Sequence, residues 1–405
     1  MGGRLISMRP AGVIALLTAV LVTGAACSSE PSTPAPALGP TQTVTAPMSY
    51  PRVLPTDAIT VTAFGARPDD DADDTTAIQA AFDAVPASGG AVFIPAGRYR
   101  LSRTVTAHRS TTVLGIRGLD GSGSRLEVDP TVRVGMILDG DASALDSVEV
   151  DAAIASKAAD SPIEPVAGQV GVRVNGWFSQ VRNSRILGFD TNLVLAAGFY
   201  SVIDSSLRAF GSSAITVDIA AARGDAGDGT ISGNTLERNL LRRPGGSAIT
   251  WLAGGGMRLV NNKINGERTL ADGVSMIPRR GVKTGVMVLS DNSIENFTDA
   301  GIRIRDDVDG ITNGLVIANN QIAGRNEPLR TTGIVVDSGV DGLAITGNSV
   351  MYTHDGIVID DVRSATVAGN VITNVADTGI RVGARSGHVA IPQQTIDAGR
   401  TPVQR

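Results

Sequence analysis

One phrase recurs along the second half of the chain and constrains it more than any other feature. Its clearest part is Gly, Asn or Asp, then Asn, a variable residue and an aliphatic residue. It appears at 233–236, 261–264, 291–294, 319–322, 347–350 and 369–372. The second residue is Asn234, Asn262, Asn292, Asn320, Asn348 and Asn370, at spacings of 28, 30, 28, 28 and 22 residues. A period of this size predicts a stacked array in which each unit buries its apolar face against its neighbours.

The accompanying segments decide what is stacked. GIRIR (301–305), GIVVD (333–337), GIVID (356–360) and GIRVG (379–383) alternate apolar with variable residues, as does AITVD (214–218), with AITWL (248–252) a variant. Period two is strand patterning with one buried face. No segment between the repeats is long and periodic enough for a helix. Two or three short strands per repeat predict one coil of a parallel β-helix, an all-β fold of about ten coils between roughly 110 and 390. RNSRI (182–186) and IDSSL (203–207) extend the Asn phrase backward, with Asp204 in place of Asn. The repeated Asn residues are read as a structural ladder at coil corners, where Asn tolerates left-handed geometry. Gly273, Gly301, Gly333, Gly356 and Gly379 are read as turn residues.

The first 26 residues have the pattern of a signal peptide: Arg4 and Arg9, an apolar run from Val13 to Thr23, then Gly24-Ala25-Ala26. Cys27 follows and is the chain's only cysteine. This arrangement resembles a bacterial lipobox, which makes Cys27 the expected lipidation site; ordinary secretion with a free thiol is the alternative. Either implies export, and a single cysteine supports no disulfide framework. Residues 27–56, rich in Pro, Ser, Thr and Ala, read as a disordered tether. Residues 57–395 read as the β-helix domain and 396–405 as a C-terminal tail.

The start of that domain carries a second signal. Thr76 and Gln79 stand at capping-box spacing in a short helix that begins near Asp74 and ends near Pro86. An end cap is required because an open coil exposes an unpaired strand edge. Asp69–Asp74 could be taken for a calcium loop, but the alternating ligand pattern and closing Glu are missing, so a cap is preferred. The run AFGARPDDDADDTTAIQAA, followed by GGAVFIPAGRY, closely resembles the N-terminal block of the pectate lyase superfamily, in its rhamnogalacturonase/epimerase-like group. With the repeats, the resemblance covers nearly all of 57–390. It implies a single-stranded right-handed parallel β-helix acting on polysaccharide, with the reaction left open.

Residues at equivalent positions of successive coils stack about 4.8 Å apart. One outward column on the GI-type strands should read Thr216, Thr250, Ser275, Arg303, Val335, Val358, Arg381. A second should read Asp218, Leu252, Ile277, Arg305, Asp337, Asp360, Gly383. Asp272, Asp299, His354, Asp355 and Asp377 stand where these strands begin. Carboxylates and arginines on one sheet face suit acid/base chemistry on an anionic sugar. Asp337 and Asp360, one coil apart, should repel and push one pKa upward. Asp299 and Asp355, two coils apart, should lie about 9.6 Å apart. Inverting glycosidases need carboxyls about 6.5–9.5 Å apart and retaining ones about 5–5.5 Å, so the sequence does not choose. The expected catalytic set is Asp299, Asp337, His354, Asp355 and Asp360; the expected substrate-binding set is Asp272, Arg303, Arg305, Asp377 and Arg381.

GIRIR is similar to the G-I-R-I-K segment of polygalacturonases, which implies a uronate-holding role for Arg303 and Arg305, although the other polygalacturonase motifs are not present in order. His354-Asp355 partly resembles the D-P-H-D motif of mannuronan epimerases. Resemblance to pectate lyases leaves room for calcium among the cleft Asp residues; no other cofactor is expected. The net charge of −5 argues against nucleic acid as a partner. Aromatics at 3% argue against long tracks for stacking neutral sugars. Trp251, at an inward position, reads as core. Residues 119–170 read as early coils with an inserted loop walling the cleft. The expected function is an extracytoplasmic glycoside hydrolase on an acidic or polar glycan, membrane-attached through lipid. The alternatives are a uronate lyase or C5-epimerase, and a non-catalytic glycan-binding or envelope-structural β-helix.

Overall fold

The computed structural model describes residues 54–118, 122–156, 162–219, 227–279, 285–305, 312–325, 330–337 and 339–405. The signal, Cys27 and most of the tether lie outside the described residues.

The chain winds through three parallel β faces. Among the described residues, the first face is a sheet of 13 strands, from Ile59–Thr60 to His388–Ala390. The second and third form one sheet of 22 strands, because Lys263–Met276 and Ser293–Ile304 run unbroken round the corner between them. The second face carries the strands after the Asn phrase, such as Gln321–Ala323 and Ser349–Met351; the third carries the GI-type strands Thr332–Val336, Asp355–Ile359 and Thr378–Val382. This is the expected parallel β-helix, but it begins at residue 59. It also runs past 395: Thr395–Ala398 and Thr401–Gln404 pair with the preceding coil, within the segment read as a tail.

Alternation places aliphatic side chains in the interior, one on short second-face strands such as Gln321–Ala323 and two on third-face strands such as Thr332–Val336, where Ile334 and Val336 are both buried. On the second face Leu236, Ile264, Ile294, Ile322, Val350 and Ile372 stack in register and are fully buried. Ile249, Val274, Ile302, Ile334, Ile357 and Ile380 do the same on the third. Each such side chain contributes about 1.5–3 kcal/mol on burial. Trp251 is fully buried in this core, as expected.

The Asn ladder forms at the corner between the first and second faces. The backbone N–H and Nδ2 of Asn234 both donate to Asn262 Oδ1 at 3.0 Å, and the same pairing passes through Asn292, Asn320 and Asn348 to Asn370. Gln394 Oε1 closes it. Earlier coils use hydroxyls: Ser184 N–H donates to Ser205 Oγ, and Ser205 N–H to Asn234 Oδ1. Asp204, expected in the ladder, is one residue early, in the left-handed corner position (φ 49°) that Asn261, Asp291 and Asn319 also occupy.

The repeated glycines are not turn residues. They lie in strands, where close packing requires them. A Cβ on Gly301 would meet Ile322 Cγ2 at 2.4 Å and Gly333 O at 2.7 Å, and Gly273, Gly333, Gly356 and Gly379 are equally crowded.

The N-terminal cap is the helix Thr75–Asp83. Its capping box does not form, because Gln79 reaches sideways: Nε2 donates to Thr106 O at 3.0 Å and Oε1 accepts from Thr106 N–H at 2.8 Å. The Asp cluster closes the first edge of the second face. Asp69 Oδ1 accepts from Arg98 N–H (3.0 Å), and Asp74 accepts from Arg67 N–H (2.8 Å) and Arg100 N–H (3.0 Å). Residues 122–156 are regular strands followed by the short helix Ala153–Ser156.

Candidate functional site

The register of the third face reproduces the first expected column. Thr216 pairs with Thr250, then Ser275, Arg303, Val335, Val358 and Arg381 follow coil by coil. Three residues earlier on the same strands run Ser247, Asp272, Ala300, Thr332 and Asp355.

Two similar constellations emerge, three coils apart. In the first, Asp272 accepts from Ala300 N–H at 3.1 Å and from Arg303 Nε at 3.2 Å, and Asp299 lies 2.8 Å from Arg303 Nη2. Burial pushes the Asp272 carboxyl upward against the opposing pull of Arg303. In the second, Asp355 Oδ1 accepts from Thr378 N–H at 3.2 Å and Oδ2 from Arg381 Nη2 at 2.9 Å. His354 Nδ1 stands 3.6 Å from Asp355 Oδ2. One polar atom each of His354, Asp355 and Asp377 lies within 4.8 Å of the others. Asp355 is buried while His354 and Asp377 are half-buried, so the group opens to solvent on one side. Asp377 also lies 3.8 Å from Arg400 Nε. Between the constellations the column is apolar, with Val335 and Val358 outward.

The expected residues thus divide. Asp272, Asp299 and Arg303 come together; His354, Asp355, Asp377 and Arg381 come together; Asp299 and Asp355 are two coils apart, as anticipated. Asp337 and Asp360 occupy neighbouring coils at the far end of the strands, but the expected upward shift is not what Asp360 shows. The guanidinium of Arg385, 2.7 Å away, holds its carboxyl below the usual range. Arg305 follows its strand and is exposed, while Arg303 is engaged by Asp272 and Asp299.

Calcium does not fit the His354 group. That ion takes six to eight oxygen ligands, whereas this set offers one imidazole nitrogen and two carboxylates, with Arg381 already on Asp355.

The sequence reading missed a charged network on the second face near the cap. Arg125 pairs with Asp151 and with Glu149 at 3.6 Å, and Arg185 reaches Glu149 at 2.7 Å. Arg98 lies 3.4 Å from Glu127. Asp151 is 2% exposed, and burial pushes its carboxyl up to about 7 despite Arg125. Beside this network lies a cavity of about 140 Å³, lined by residues including Asp71, Asp73, Arg100 and Glu127. The partners are 20 or more residues apart in sequence, so only the register could have disclosed them.

Comparison with known proteins agrees with this architecture. The family model described as rhamnogalacturonase A/epimerase, pectate lyase-like, matches residues 58–121, and the right handed beta helix region matches residues 220–396. No curated protein sequence matches the chain. Among solved structures, the Dettilon tailspike protein (gp208) aligns at TM-score 0.59 and 13% identity, covering 83% of this chain and 68% of its own. The A-module of the Azotobacter vinelandii mannuronan C-5 epimerase AlgE6 aligns at 0.58 and 16%, covering 85% and 99%. DFA-IIIase from Arthrobacter chlorophenolicus A6, without its lid, aligns at 0.57 and 15%, covering 84% and 98%. At these identities the likeness is one of fold. Together with the two family models and the coil register, it gives this chain a right-handed parallel β-helix fold, with an N-terminal block similar to the rhamnogalacturonase A/epimerase, pectate lyase-like family.

Proposed function

We propose that the chain is an extracytoplasmic polysaccharide-active enzyme, a glycoside hydrolase whose acid/base centre is His354, Asp355 and Asp377 on the third face. The observation that carries this reading is the meeting of two carboxyls and an imidazole within 4.8 Å, with Arg381 and Thr378 N–H orienting one carboxyl. A glycosidic bond cleaves when one carboxyl protonates the leaving oxygen while the other attacks the anomeric carbon or activates water. Retaining enzymes hold the pair about 5–5.5 Å apart. An oxygen of Asp355 and one of Asp377 lie within 4.8 Å of each other, nearer the retaining than the inverting spacing. Asp377, on the open side, is assigned to protonate the leaving oxygen, Asp355 to attack, and His354 to relay protons at its imidazole. The matching family model is described as a rhamnogalacturonase and epimerase, and one structural relative as a mannuronan epimerase, which supports a glycan as partner.

A second reading, uronate lyase or C5-epimerase, draws on the same group. There His354 would take the proton beside a uronate carboxylate neutralised by Arg381. Incubating the protein with acidic and neutral polysaccharides, while following reducing ends, ultraviolet absorbance and isotope exchange at C5, separates hydrolase, lyase and epimerase. Reducing ends without absorbance are expected; absorbance would favour the lyase. Export with Cys27 as a lipid anchor belongs to the same proposal, and loss of membrane association in Cys27→Ser tests it.

A further inference from the structure

Aromatic residues are scarce, yet three meet at one exposed place. Trp177 and Phe178 follow the third-face strand Val170–Val174, and Phe199 follows the next, Thr191–Leu195. Phe178 is 58% exposed and Phe199 47%. Their rings stack face to face with centroids 4.8 Å apart and planes 3° apart, and the Trp177 ring lies 5.7 Å from Phe199, tilted by 51°.

The backbone bears a strain to hold these rings outward. Phe178 has φ 61° and Phe199 φ 55°, in the left-handed region where a bulky residue is out of place. The chain more often puts small or polar residues in that conformation, as at Asn261, Asp291 and Asn319, although Leu240 and Tyr352 also adopt it. Glycines make room for the rings: a Cβ on Gly198 would come within 2.9 Å of Trp177, and one on Gly227 within 2.4 Å of Phe199. Such strain on an exposed surface points to function.

Polar groups border the rings. Arg173 Nε donates to Asn175 Oδ1 at 2.9 Å, Asn175 Nδ2 to Asp139 Oδ1 at 3.0 Å, and Trp177 N–H to Asp141 Oδ1 at 2.8 Å. Arg173 stands in the outward column that leads through Val194, Thr216, Thr250 and Ser275 to Arg303. Five strand spacings separate Arg173 from Arg303, about 24 Å along the same face.

We propose that Trp177, Phe178 and Phe199 form a stacking platform for an uncharged pyranose ring, a distal subsite for a glycan lying along the third face. The proposal rests on the glycan-active reading of that face. The apolar C–H face of a pyranose covers an aromatic ring while its hydroxyls meet a polar rim, here Asn175, Asp139 and Asp141. The two carboxylates disfavour a uronate at this end. A second copy of the chain suits the patch poorly, since a stable interface takes about 20–30 residues a side.

Trp251 is fully buried, so a change in tryptophan emission on glycan addition reports on Trp177. The full protein is titrated with glucomannan, xyloglucan, mixed-linkage β-glucan and polygalacturonate, beside the double variant Phe178→Asn/Phe199→Asn. Asn removes both rings and suits the left-handed corner. At least one neutral polysaccharide should shift wild-type emission. In the double variant its Kd should rise tenfold or more, with Tm unchanged or higher. Equal affinity in both proteins overturns the platform, as does a wild type that binds none of the neutral polymers, or a variant that loses self-association in sedimentation instead. Ring-dependent binding without any turnover would instead count against the catalytic reading and leave the platform standing.

Discussion

Asn292 shows what one side chain does in this fold. Its Nδ2 donates to Leu259 O and Asn320 Oδ1 at 2.9 Å, and its Oδ1 accepts two bonds at 3.0 Å from Asn262. Asn292→Ala leaves several buried donors and acceptors unpaired. At about 1–3 kcal/mol for each unsatisfied group, the expected loss is about 3 kcal/mol or more, read as a lower chemical-denaturation midpoint. The ladder was legible in the sequence because Asn recurs with the coil period. Ser184 and Ser205 were not, because only the register shows that a hydroxyl takes the same place. Asp151 makes a pH prediction. Its folded pKa of about 7 lies above the ordinary value of 3.8, so the unfolded chain releases its proton first as pH rises. Its contribution to stability is complete below about 3.8 and is lost as pH rises through about 7. Asp151→Asn should therefore show a smaller fall in Tm between pH 5 and pH 8 than the wild type. An equal fall in both proteins would refute this.

At the scale of elements, strand patterning read correctly because alternation maps directly onto an inside and an outside face. The repeated glycines were misread because crowding by the next coil leaves no local trace in sequence; Gly301 and Gly333 look like turn residues until their neighbours are in place. The cap was legible as a block, but its bonding was not. Gln79 binds Thr106 instead of the helix start, and Asp74 serves the neighbouring strand. Asp74→Ala should leave the N–H groups of Arg67 and Arg100 without acceptors, costing about 2–4 kcal/mol. Hydrogen exchange should quicken first in Gly97–Leu101; unchanged protection there would show that the cap is held otherwise.

Across the whole molecule, the parallel register turns sequence positions into a surface. It brings Asp355, Arg381 and Asp377 together from neighbouring coils, and separates this group from the Asp272–Arg303 pair by two apolar steps. The first candidate column was legible from alignment of the repeats; the second slips at its start, where a bulge pairs Asp218 with Ala253 instead of Leu252. Which carboxyls are neutralised by arginine was not, since Arg385 meets Asp360 through a turn outside the repeated phrase. The most direct measurement is the initial rate of reducing-end release on the best polysaccharide by the wild type, Asp355→Asn, Asp377→Asn and Asp360→Asn, with Tm recorded for each. The account predicts losses of about 10²–10⁴-fold for the first two substitutions at unchanged Tm, with most activity kept by the third. Full activity in both Asp355→Asn and Asp377→Asn would contradict it.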